Sequence, residues 1–230
     1  MSLLYVVSES ENDGRFYAQC TKKLTGDAPD LVVLRGRKAE GVESVKRGIK
    51  NAIAKARAAA RGTERMFFIA AIDNDRAPHE ENRELDRSRL SREEYDRPSR
   101  MEWMKTTVES VLGPNRQTWP MSVALAVPVE MIESWIVRGR RNAELQPARY
   151  FSWADSQSAR EYYAPAEPPP QWKDLAREEQ AASGFANKQD FYVDVILNLD
   201  ADALAARSPS FRMFKEWLDG WPLAESTVGA

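Results

Sequence analysis

Four apolar runs recur along a chain that is otherwise rich in charge: Leu3–Val7, Leu31–Leu34, Met66–Ile72 and Val123–Val127. Each is continuous rather than alternating, the pattern of strands whose two faces are both covered. The segments between them follow helical spacing. A helix is expected from about Gly14 to Leu24, and a clearer one follows in GVESVKRGIKNAIAKARAAARG. There Val42, Val45, Ile49, Ile53, Ala56 and Ala60 fall on one side. Lys46, Lys50, Arg57 and Arg61 form a second stripe that reads as a solvated basic face. Met101, Met104, Val108 and Val111 predict a helix over about Ser99 to Leu112, and VEMIESWIV predicts another. The order β-α-β-α-β-insert-α-β-α predicts an open, mostly parallel α/β sheet with helices on both faces.

This core is expected to span residues 1–140, with a polar insert at about 76–98 that holds almost no apolar side chain. Residues 141–230 read as a linker and a helical C-terminal subdomain packed on the core. APAEPPP at 164–170 is a rigid, proline-rich connection. Near the end, Ser208 or Ser210 can cap a helix with Phe211, Phe214, Trp217 and Leu218 on its apolar face, stopped by Gly220 and Pro222.

Charge changes the picture little globally, since 33 basic and 35 acidic side chains nearly cancel. Any case for nucleic acid must therefore rest on local patches. The one cysteine, Cys20, excludes an intrachain disulfide and reads as a small buried hydrophobe, the usage of a reducing compartment. No run reaches membrane length, and the first apolar run is too short for a signal peptide. A cytoplasmic protein is expected.

The acids are distributed less evenly. SESEND follows the first run with Glu9, Glu11 and Asp13; Asp73-Asn74-Asp75 follows the third; Glu130 and Glu133 follow the fourth. Acids suit the first turn of a helix, and DND is a common turn, so each group alone has a structural explanation. Together they would meet on one rim, because open parallel sheets place their crevice at the strand carboxyl ends. Clustered carboxylates repel unless protonated, paired with a base or holding a cation. Oxygen donors of this kind suit Mg²⁺ or Mn²⁺. Zinc-ligand spacing and a phosphate-cradling glycine loop are both missing, and the lone His79 builds no zinc site.

These motifs resemble the TOPRIM fold, whose members carry a glutamate after the first strand, commonly in E-G-x-x-D/E, and Asp-x-Asp after the third. Glu9-Ser10-Glu11-Asn12-Asp13 and Asp73-Asn74-Asp75 match that pattern, with Ser10 where the family usually has glycine. The chain is most similar to a compact group of prokaryotic TOPRIM-like proteins, in Ile132-Glu133-Ser134-Trp135 and in Ser208–Phe211. The resemblance implies Mg²⁺- or Mn²⁺-dependent phosphodiester chemistry on nucleic acid, in a group often linked to defence against phage and mobile elements. It implies Glu9 as general acid/base, Asp73 and Asp75 as metal ligands, and Asp13 and Glu133 completing the catalytic and metal-binding cluster. Arg76 directly abuts the Asp pair, Arg37 and Arg138 lie in basic clusters after the second strand and the acid-bearing helix, and these three are the expected phosphate contacts.

A receiver-like domain would need a lysine after its last strand and is normally much shorter, Asp73-Asn74-Asp75-Arg76-Ala77 lacks the Thr or Val of a haloacid-dehalogenase motif, and a glycosyltransferase leaves Glu9 unexplained. The competing expectation is a catalytically inactive TOPRIM-like component that binds a protein partner, such as a sensor or ATPase. A metal-dependent activity lost with Glu9→Gln or Asp73→Asn separates the two.

Overall fold

A computed structural model describes residues 2–26, 28–34, 42–62, 65–72, 100–128, 132–139 and 172–221. The polar insert and the proline-rich stretch lie outside the described residues. Strands β1 (Ser2–Val7), β2 (Asp30–Leu34), β3 (Arg65–Ala71) and β4 (Ser122–Ala126) form one sheet in the order β2-β1-β3-β4. Every pairing is parallel. The register sets Val7 beside both Leu34 and Ala70, and Ala71 beside Ala126, so the four carboxyl ends share one edge. An additional bond from Ile72 N–H to the Ala126 carbonyl, 3.0 Å, carries the β3–β4 ladder one residue further.

Helices α1 (Glu11–Thr25) and α2 (Val42–Ala59) make the first two crossovers. From β1 the chain moves to one side, and from β2 it returns past β1 to the other. Right-handed crossovers in opposite directions place their helices on opposite faces. The core divides accordingly. Alternate strand residues Leu4, Val6, Phe67 and Ile69 pack with Phe16, Tyr17 and Cys20 of α1. Met66, Phe68 and Ala70 pack with Val45, Ile49 and Ile53 of α2. Helix α3 (Arg100–Leu112) adds Met101, Met104 and Val108 to the α2 side.

The remaining α-helices among the described residues are α4 (Glu133–Gly139), α5 (Trp172–Ala182), α6 (Lys188–Leu197), α7 (Ala201–Arg207) and α8 (Pro209–Asp219). Trp135, Phe191, Phe211 and Phe214 from this set enter the α1 side of the core. Gly139 permits close approach of α4 to its neighbours, since a Cβ there would lie 3.1 Å from Leu199 Cδ1 and 3.4 Å from Val195 Cγ1. Its sequence setting among arginines gave no sign of that packing role. Cys20 is fully buried, and burial pushes its thiol far above the usual range, as expected of an inert core side chain.

Candidate functional site at the carboxyl edge of the sheet

The SESEND stretch turns the chain from β1 into α1. Ser10 is the N-cap, in extended backbone (φ −137°, ψ 165°) that any residue adopts. Its hydroxyl accepts from Asp13 N–H at 3.2 Å, and Asp13 Oδ2 accepts from Ser10 N–H at 3.1 Å. This reciprocal capping box satisfies two backbone donors that the helix start leaves open. Serine therefore serves here without the backbone freedom of glycine. Ser8 is buried, and it donates its hydroxyl to the Ser10 carbonyl at 2.7 Å and tightens the same turn. Glu11 faces outward, pairing with Arg15 at 2.7 Å, while Glu9 is half-buried at the end of β1.

Glu133 opens α4 just beyond β4, and its side chain is only 5% exposed. Its Oε1 accepts from Lys188 Nζ at 2.8 Å and from Tyr192 OH at 2.9 Å. Lys188 and Tyr192 lie one turn apart on α6, and the ammonium also stands 4.8 Å from the Tyr192 ring centroid. A buried carboxylate needs partners of this strength, since desolvation disfavours its charge.

Asp13 belongs to the same cluster. Burial pushes its carboxyl above the ordinary value, and the Glu133 carboxylate adds to the rise. Hydrogen bonding with Ser10 and the charge of the Lys188 ammonium act the other way. Acids from the segments after β1 and β4 thus share one electrostatic neighbourhood at the sheet edge, joined by a cation from α6.

Trp135, two residues after Glu133, fixes this arrangement from below. Its indole N–H donates to Ser210 Oγ at 2.8 Å, and Ser210 in turn lies 3.3 Å from Ser208 Oγ. The ring stacks on Phe214 (5.5 Å, 23°) and meets Phe211 and Tyr17 edge-on. The Glu-Ser-Trp and Ser-Pro-Ser-Phe stretches are therefore one structural unit. Ser208 is the N-cap of α8 by position, but makes no side-chain capping bond.

Of the sequence-derived site residues, Asp13 and Glu133 come together, and Glu9 lies at the same edge. Asp73, Asp75, Arg76, Arg37, Glu130 and His79 lie outside the described residues, as does the side chain of Arg138. Among the described residues, no three His, Cys, Asp or Glu side chains converge as a metal-ligand set. The donors present are hard carboxylate oxygens, the chemistry that suits Mg²⁺ or Mn²⁺, but Asp13 and Glu133 alone do not complete a site. Lys188 and Tyr192 were not found by sequence reasoning. Their four-residue spacing marked a shared helix face, yet nothing along the chain joined that face to Glu133.

No family model, curated protein or solved structure matches this chain. The fold is an open α/β sheet of four parallel strands, and no described helix is long and apolar enough to cross a membrane.

Proposed function

We propose that this protein is a Mg²⁺-dependent, TOPRIM-like nuclease that cleaves nucleic-acid phosphodiesters at the carboxyl edge of its sheet. The observation that carries the reading is the shared neighbourhood of Asp13 and Glu133, from the first turns of α1 and α4, at the edge where Glu9 follows β1. Strands β1 and β3 are neighbours at the point where the winding reverses, the favoured ligand crevice of such sheets. In the sequence, Asp73 directly follows Ile72 at the end of β3.

In this reading Asp73, Asp75, Glu9 and Glu133 hold the cation, which when bound neutralises phosphate charge and activates water. Glu9 acts as general acid/base. Lys188 and Tyr192 fix the Glu133 carboxylate, and burial makes Asp13 hold its proton more tightly than an exposed carboxyl does. Arg76, Arg37 and Arg138 are the proposed phosphate contacts.

A second reading, an inactive component that binds a protein partner, draws on the Lys188–Glu133 bridge, which compensates one rim acid without a metal. Cleavage of labelled single- and double-stranded DNA and RNA in Mg²⁺ decides between them. The nuclease reading expects products that vanish with a chelator and fall at least about 100-fold in Glu9→Gln. Folded wild-type protein that cleaves none of these substrates in Mg²⁺ or Mn²⁺ supports the second reading.

A further inference from the structure

The opposite, amino-terminal edge of the sheet holds a cavity of about 630 Å³, between the starts of β3 and β4 and helix α8. That volume falls within the range of small-molecule sites. Its walls combine flat aromatic rings with cations. Phe67 stacks on Trp221 at 4.7 Å and 23°, and the Arg65 guanidinium lies 5.1 Å from the Phe67 ring. Arg116 sits 3.9 Å from the Trp217 ring centroid and 5.9 Å from that of Trp119.

Two of the indoles are fixed by hydrogen bonds to backbone. Trp221 donates to the Val123 carbonyl at 3.1 Å, and Trp119 to the Gly113 carbonyl at 2.9 Å. Rings held in this way have little rotamer freedom left to lose on binding; Trp221 is buried against Phe67, while Trp119 and Trp217 stay partly exposed. The charge is also local. Among the described lining residues, Arg65, Lys105 and Arg116 stand with one acid, Glu216, in a chain whose formal net charge is −2. Arg116 is exposed, and its guanidinium meets aromatic rings rather than a carboxylate.

Stacking surfaces beside a fork-shaped cation match a planar base that carries a phosphate. A purely apolar ligand would make no use of Arg116, and an inorganic anion would make no use of the rings. We propose that this cavity binds a nucleotide, with its base against the tryptophan-rich wall and its phosphate near Arg116 and Arg65. The nucleotide is either free or one unit of a single strand, since single-strand binders use the same pairing of aromatic rings and cations. The site is at the other end of the strands from the carboxylate cluster and needs no metal, so it stands independently of the nuclease reading.

The test is titration of the full chain, in chelator, with adenosine and uridine 5′-monophosphates, inorganic phosphate and a short single-stranded DNA. Calorimetry and tryptophan fluorescence supply the readouts. The expected result is saturable binding with quenching, weakened about tenfold or more in Arg116→Ala, equivalent to about 1.4 kcal/mol. Because Arg116 is exposed, Arg116→Ala is expected to keep the wild-type circular dichroism and melting profile. A Trp217→Phe variant retains a ring and is expected to bind more weakly than wild type but better than Trp217→Ala. Binding of the monophosphates supports a free nucleotide, and binding of the oligonucleotide alone supports a strand unit. The proposal is overturned if neither binds at about 1 mM, if phosphate alone binds as tightly, or if Arg116→Ala binds like wild type.

Discussion

The sheet face under α2 and α3 is closed by aliphatic side chains such as Val45, Ile49, Ile53 and Val108, from helices that lie between the strands in sequence. The face under α1 is closed largely by aromatic side chains gathered from α1, α4, α6 and α8. The first is built from local crossovers. The second joins residues far apart in the chain, and carries the candidate site on its margin. A sheet face that collects distant segments can hold Glu133, Lys188 and Asp13 together, which no single crossover could do.

Truncation should reveal the difference most strongly. Trp135→Ala removes a buried ring that stacks on Phe214 and bonds Ser210, and is expected to lower stability by about 4 kcal/mol. Ile49→Ala on the other face should cost about 3 kcal/mol. Denaturant unfolding measures both. If the account of the aromatic face is right, any metal affinity or activity of the folded protein falls with Trp135→Ala and stays with Ile49→Ala.

A smaller change isolates the joint between the two motifs. Ser210→Ala leaves the Trp135 N–H buried without its acceptor and should destabilise by about 2 kcal/mol. Ser210→Thr keeps an oxygen there and should recover part of the loss. Equal unfolding midpoints for Ser210→Ala and wild type would break the proposed unit.

The smallest effect is the pH response of Asp13. Its carboxyl is raised above 3.8 in the folded protein, so the native state holds that proton more tightly than the unfolded chain does. Its contribution is fully present below the unfolded value and is lost as pH rises through the folded value. Asp13→Asn, which can still accept from Ser10 N–H, should therefore decline less in stability than wild type above about pH 4. Unfolding midpoints across that range check the slope, and parallel profiles would contradict the rise that burial, and to a lesser extent Glu133, gives this carboxyl.

The same contrast explains what could be read along the chain. The four strands, the α2 stripe of Val45, Ile49 and Ile53, and the Ser10–Asp13 cap all depend on short-range periodicity or on local hydrogen bonds. Helix α1 begins at Glu11 rather than near Gly14 because that cap satisfies its first turn. Bringing Asp13 and Glu133 to one edge followed from strand polarity in a parallel sheet. The ammonium on Glu133 did not, because Lys188 reaches it only through tertiary packing of α6 against α1 and α4. Nor did the tryptophan-lined cavity, whose walls come from β3, β4, α8 and the turn around Arg116. Trp217 reads as core from its spacing, yet it is only partly buried and stacks with a cation.

The most direct test of the central claim is a calorimetric titration of Mg²⁺ and Mn²⁺ into wild type and into Asp73→Asn/Asp75→Asn. The account predicts saturable binding by wild type that is lost, or weakened about 100-fold, in the double variant, with both proteins equally folded. Absence of binding in folded wild type, or equal binding by the two, would contradict it and leave the acids as capping and strand-end residues.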